Sequence, residues 1–155
     1  MTEREAVAQA MAFFEASDDI VLLHQALAEV APRARRMVSQ FMGRGGEEAI
    51  PSPADLRPAR QLASKADAMR TLKSASDFAL LQVLARSVGR RIEAIEIAAS
   101  AEFPEGVHVV VPANPTFPPS GAQLSGTVES TGTVLRVLLD NGETWDGPPS
   151  LARLA

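Results

Sequence analysis

The hydrophobic pattern of this chain changes period once, at Phe103-Pro104, and that change constrains the fold more than any other feature. Upstream, apolar residues recur at three- and four-residue steps, the period of an α-helix packed along one stripe. Downstream, "GVHVVVP" and "TVLRVLLD" alternate or run β-branched, and turns fall every ten residues or so. One element type cannot bury both patterns. The sequence therefore predicts an α+β chain: an N-terminal helical bundle over 1–102, followed by a five-stranded β unit over 103–155.

Four helices are expected in the first part. Thr2 with Glu5 fits a capping box, and Ala6, Ala10, Phe13 and Phe14 follow at helical spacing, which predicts a helix over 2–16. Ser17-Asp18-Asp19 supplies a stop and a fresh N-cap. A second helix over 18–42 then carries Ile20, Leu23, Leu27, Val30 and Ala34. Pro32 lies inside it and is expected to kink or split it near Val30–Ala31. "GRGG" ends this helix, and a Pro/Gly-rich connector covers 43–63, with one helical turn expected around Ala54–Leu56. Ser64 with Asp67 caps a third helix over 65–73. Ser76-Asp77 opens the strongest, over 77–100, with Phe78, Leu81, Ala85, Val88, Ile92, Ile95 and Ala99 in one stripe.

After Phe103-Pro104 the strands are short. "GVHVVVP" leads through the proline-rich "ANPTFPPSGA" to "QLSGTVEST", "TVLRVLLD" and "ETW", and "PPSLARLA" closes the unit with a turn and a last strand. Asn141-Gly142 is the preferred pair of a two-residue type I′ hairpin turn. Five such strands laid flat would bury little area and leave two edges exposed, and curling solves both problems. On "GVHVVV", "GTVEST", "LRVLLDNGETW" and "LARL", residues 106–155 resemble an SH3-like small barrel of the Tudor or KOW pattern. The resemblance implies a five-stranded β-barrel over about a third of the chain. The link "SAEFPEG" is too short for independent motion, so barrel and bundle are expected to behave as one rigid body.

Composition removes several function classes. Without cysteine there is no disulfide framework, thiolate zinc site or cysteine nucleophile. No window reaches the roughly 20 apolar residues of a membrane span, and the first residues lack the pattern of a secretory signal, so a cytoplasmic protein without membrane attachment is expected. Net charge is −4, which gives no global attraction to nucleic acid. The first 102 residues hold 13 Lys/Arg against 14 Asp/Glu, and the rest hold 2 against 5, so any basic surface belongs to the helices.

Candidate chemistry is sparse. "LARSVGRRIEAI" has the small residue, glycine and aliphatic of a helix-turn-helix at Ala85, Gly89 and Ile95. Arg90 stands where an apolar anchor belongs, however, and Glu93 and Glu96 would face phosphates, so one continuous helix is the simpler reading. Arg33, Arg35 and Arg36 form one basic cluster and Arg90 and Arg91 another. They would bind phosphate, nucleic acid or an acidic protein surface if the helices bring them together; otherwise they are a solvated face paired with Glu29, Glu93 and Glu96. His24 and His108 have no metal-site spacing. Asp140, Glu143 and Asp146 surround the hairpin turn without the spacing of a calcium loop. Phe117 and Trp145 are the aromatics of residues 106–155, candidates for a partner contact. Two rings make neither a polyproline groove nor an aromatic cage, so Trp145 reads more simply as packing. No catalytic residue, metal ligand or cofactor site is assigned.

These features predict a non-enzymatic protein-interaction module: a bacterial-type adaptor, assembly factor or regulatory subunit that docks on another protein and has the apolar helices for self-association. Segments 43–60 and 112–122 would be its recognition elements. The competing expectation is a nucleic-acid-associated regulator using the arginines of the helical part.

Overall fold

The computed structural model describes residues 1–42 and 56–155, with side chains for all of these except 37–42. The expected helical turn at Ala54–Leu56 and most of the 43–60 recognition segment fall outside the described residues. The chain forms four helices followed by a five-stranded antiparallel sheet, an α+β arrangement. It divides into two compact units, Met1–Arg91 and Ile92–Ala155. The last turns of the fourth helix therefore count with the sheet, eleven residues before the change of period at Phe103.

The helices are α1 (Glu3–Ala16), α2 (Ile20–Met42), α3 (Lys65–Ser74) and α4 (Phe78–Ser100). Their starts follow local chemistry. Thr2 Oγ1 accepts from Glu5 N at 3.1 Å, Asp19 Oδ1 from Leu22 N at 3.1 Å, Ser64 Oγ from Asp67 N at 3.1 Å and Asp77 Oδ1 from Leu80 N at 3.1 Å. Each bond satisfies an amide that the first turn leaves unpaired. One expectation changes here. Pro32 does not split α2, which continues to Met42; its ring is exposed, and the cost is confined to one missing amide opposite the Ala28 carbonyl. As the continuous-helix reading has it, α4 is unbroken across Gly89 from Phe78 to Ser100, which excludes the helix-turn-helix alternative.

Three ties set the direction of the helices in the first unit. Glu3 Oε1 accepts from Ser76 N at 2.6 Å, Ser87 Oγ donates to Glu15 at 2.8 Å, and Arg91 Nε donates to Ser17 O at 2.8 Å. Early α1 thus meets the start of α4 and late α1 meets its middle, so the two run parallel. Just before α2, Asp18 accepts from Arg91, while further along α2 Ala34 O accepts from Gln82 at 3.2 Å, so α2 runs the opposite way. Phe14, Leu23, Val30, Leu72, Leu81, Leu84 and Val88 fill the space between. Residues 56–64 lie along α1, where Ala59 N and Ala63 N donate to the carbonyls of Ala8 and Gln9.

Arg33 holds one corner of this unit. Its guanidinium donates to the carbonyls of Leu72, at 2.7 Å, and Ala75, two acceptors at the end of α3. Cationic donors there also suit the helix dipole. Arg33→Ala is expected to destabilise the helical unit by roughly 2 kcal/mol, because charge-assisted bonds to partly buried carbonyls are lost. Arg33→Lys, with one compact donor group, should restore less than half. Urea unfolding followed by far-ultraviolet circular dichroism measures both.

The strands are β1 (His108–Asn114), β2 (Ser120–Ser130), β3 (Leu135–Leu139), β4 (Thr144–Gly147) and β5 (Arg153–Leu154). A 3-10 turn at Pro149–Leu151 precedes β5. The sheet order is β4-β3-β2-β1-β5, so the chain folds as a meander and its last strand returns to pair with the first. β2 begins at Ser120, earlier than the sequence predicts, and the proline-rich loop shrinks to 115–119. The turn after β3 also differs from expectation. Among the described residues only glycines have positive φ, whereas a type I′ turn requires it at Asn141 as well. Instead Gly142 N donates to Leu139 O at 2.9 Å, Gly142 takes φ +89, and Leu139 N donates to Glu143 O at 2.8 Å. This is a turn followed by a left-handed glycine, which supplies the same reversal with one more residue.

One face of the sheet is apolar. Val109, Val111, Val128, Leu135, Val137, Leu139 and Trp145 are buried together with Phe103. Trp145 reveals the shape of the sheet. Its indole Nε1 donates to Pro112 O at 2.8 Å, although β4 and β1 are separated by β3 and β2. In a flat sheet these backbones would lie about 14 Å apart, at about 4.8 Å per strand, beyond the reach of an indole. The sheet is therefore strongly curled around Trp145. Its hydrogen-bonded order nonetheless leaves β4 and β5 as two ends.

Candidate docking surface

A cleft of about 560 Å³ lies in the helical unit where α1, α4 and the start of the 56–64 segment meet. α4 contributes Val83, Arg86, Ser87 and Arg90, which share one helical face by their three- and four-residue spacing. α1 contributes Met11 and Glu15, one turn apart, and Leu56, Arg57 and Pro58 close the third side. Its floor is apolar: Met11, Leu56 and Val83 are buried, and Arg57, Arg86 and Arg90 are exposed around them.

The polar groups of the cleft divide into committed and uncommitted. Ser87 is 4% exposed, and its hydroxyl donates to Glu15 Oε1 at 2.8 Å, which fixes that carboxylate on one wall. None of the ion pairs among the described residues involves Arg57, Arg86 or Arg90. Three guanidinium groups and one tethered carboxylate thus surround a buried apolar floor. Such a site favours an anion carried on a partly apolar ligand.

The arginines singled out from the sequence have unequal fates. Arg33 is spent on the end of α3. Arg91 is spent on Ser17 O and on Asp18, at 2.6 Å, where it joins α4 to the α1–α2 turn. Arg35 and Arg36 are exposed on α2, and Arg90 lines the cleft. The two clusters do not converge. Arg33 binds at Ala75, just before α4 begins, and Arg91 lies about 20 Å along α4 from its first residue at about 1.5 Å per residue. The partners also differ from those expected: backbone carbonyls and Asp18 take the place of Glu29, Glu93 and Glu96. Glu96 is buried in the second unit, where Oε2 accepts from Ser150 N at 3.1 Å.

The aromatic candidates divide in the same way. Trp145 is 4% exposed and hydrogen-bonded, so its ring offers no face to a ligand. Phe117 is half-buried in the β1–β2 loop. Of the carboxylates near the hairpin, Asp146 pairs with Arg136 at 2.9 Å and Asp140 lies 4.0 Å from His108. The hydrogen bond from Arg136 to Asp146, and then the charge of that carboxylate, raise the guanidinium above its ordinary pKa. Among the described residues no group of His, Asp and Glu has the arrangement of a metal site, and no helix is long and apolar enough to cross a membrane.

No protein-family model, curated protein or solved structure matches the chain. The cleft is therefore read on its own geometry. Sequence reasoning reached Arg90 but missed Arg57, Arg86, Glu15 and Ser87. The i, i+4 pair of Arg86 and Arg90, off the apolar stripe of α4, was the available signal. Nothing local places Arg57 beside them.

Proposed function

We propose that this chain is a non-enzymatic protein-interaction module, an adaptor, assembly factor or regulatory subunit, which docks through its helical unit. The observation that carries this reading is the cleft at Arg57, Arg86 and Arg90, where guanidinium groups with no ion pair among the described residues surround buried apolar side chains. Interfaces are enriched in such arginines, because a planar donor fork over an apolar floor supplies both contact area and direction. The sheet unit acts as an SH3-like small barrel of the Tudor or KOW pattern. The curl around Trp145 and the return of β5 to β1 support that likeness. Its buried tryptophan and its ion-paired Arg136 leave the docking role to the helices.

Capture from the source cell, with mass measurement of the intact complex, tests the reading. The expected result is a complex of defined stoichiometry with another protein, stable to nuclease and to a rise in salt from about 50 to about 200 mM. A complex of two or more copies of this chain alone would replace the partner by self-association. Material released by nuclease, or steeply by salt, would support the nucleic-acid reading instead, and a chain recovered with nothing attached would overturn docking altogether.

A further inference from the structure

We infer that the cleft receives an extended acidic segment of the partner protein, with carboxylates on alternate residues and an apolar side chain beside them. This deepens the docking reading and rests on it. Arg86 and Arg90 are four residues apart on α4, so they repeat at about 6 Å along the helix axis. In an extended peptide, side chains on one face repeat every second residue, at about 6.7 Å. An acidic–x–acidic segment laid along α4 therefore presents successive carboxylates to successive guanidinium forks, the geometry in which bidentate pairing is strongest. Arg57 supplies a third cation from the opposite side of the cleft.

Two further features select a peptide. The floor of Met11, Leu56 and Val83 accepts an aliphatic side chain, which a phosphodiester backbone does not offer. Glu15, held by Ser87 at 2.8 Å, places a fixed negative charge on one wall. That carboxylate accepts from a peptide N–H, a donor that a phosphodiester backbone does not have. The cleft is thus built for alternating acidic and neutral groups.

The test uses the full chain and the peptide Leu-Glu-Ser-Glu-Leu-amide carrying fluorescein on its N-terminal amine, followed by fluorescence anisotropy. Comparison probes are its Gln-for-Glu counterpart and a short oligothymidylate of matched charge. The acidic peptide should bind at least about tenfold more tightly than the neutral one. The double variant Arg86→Glu/Arg90→Glu should weaken it at least about tenfold. Arg35→Glu/Arg36→Glu, with the same change in net charge, should alter binding less than about twofold. Glu15→Gln should raise binding of oligothymidylate more than that of the peptide. Circular dichroism verifies that each variant is folded, and single Arg86→Gln and Arg90→Gln variants replace a double variant that is not.

Equal losses in the two double variants would reduce the effect to net charge and overturn the proposal. Tighter binding of oligothymidylate than of the peptide would overturn it as well, as would no peptide binding at millimolar concentration. If a partner complex survives Arg86→Glu/Arg90→Glu, the cleft assignment fails while docking stands. If no complex forms with the unaltered chain, docking itself fails.

Discussion

Trp145→Ala should cost the sheet unit about 4 kcal/mol, the largest effect of any single substitution considered for this chain. The ring lies inside the curl of the sheet, with the end of β4 folded against it: a Cβ on Gly147 would meet the ring at 2.6 Å. Truncation leaves a cavity that the strands cannot close without losing their curl. It also strands the Pro112 carbonyl, buried and without its donor. Trp145→Phe separates the two contributions. Most of the apolar area remains and only the hydrogen bond and part of the ring are lost, so a cost of roughly 1–2 kcal/mol is expected. As the sole tryptophan, Trp145 reports its own unit by fluorescence in the unaltered chain. Amide hydrogen exchange over β1–β4 provides the same measurement for both variants. A loss below about 1 kcal/mol for Trp145→Ala would show that the curl does not depend on the ring.

The helices were legible because their signals are local. Thr2, Asp19, Ser64 and Asp77 cap the amides that follow them, and each cap lies within three residues of its partner. The strands were legible from alternation, most clearly in β3, where Leu135, Val137 and Leu139 are buried and Arg136 and Leu138 are exposed. Where the reading failed, packing or a competing hydrogen bond outweighed the preference of a single residue. Pro32 was expected to kink or split α2 and does not split it: an exposed ring facing solvent costs one hydrogen bond, and the packing of Val30 and Ala34 on either side holds the helix together. Asn141 was expected to adopt positive φ, yet its side-chain Oδ1 accepts from Glu143 N at 2.9 Å and stabilises the alternative turn.

The site was less legible than the fold for the same reason. Whether an arginine is free or committed depends on which carbonyls tertiary structure brings to it. Arg33 and Arg36 look alike in sequence, but only Arg33 reaches the end of α3, 39 residues away for Leu72. Arg90 and Arg91 are adjacent, yet a rotation of about 100° along the helix sends one to the cleft and the other to Asp18. Charge clusters read from sequence therefore locate basic helices. They do not distinguish structural clamps from contact residues.

Gly126→Ala should destabilise the sheet unit by about 3 kcal/mol, a second consequence of the curl. Gly126 lies in the middle of β2 and pairs with both Val109 and Leu139. A Cβ there would stand 2.5 Å from the Leu138 carbonyl, 2.6 Å from a Val137 methyl and 2.9 Å from Leu139 Cα. Two of these three are backbone atoms of the neighbouring strand, so no rotamer change relieves the clash, and β2 and β3 must separate where the sheet bends. Glycine at such a bend permits an approach that any side chain prevents. Gly132→Ala is the control, because its nearest neighbour would be 4.0 Å away, and it should change stability by less than about 0.5 kcal/mol. Urea unfolding followed by Trp145 fluorescence measures both in the full chain. An unchanged midpoint for Gly126→Ala would mean that β2 and β3 do not approach this closely, and the strongly curled sheet would have to be replaced by a flatter one.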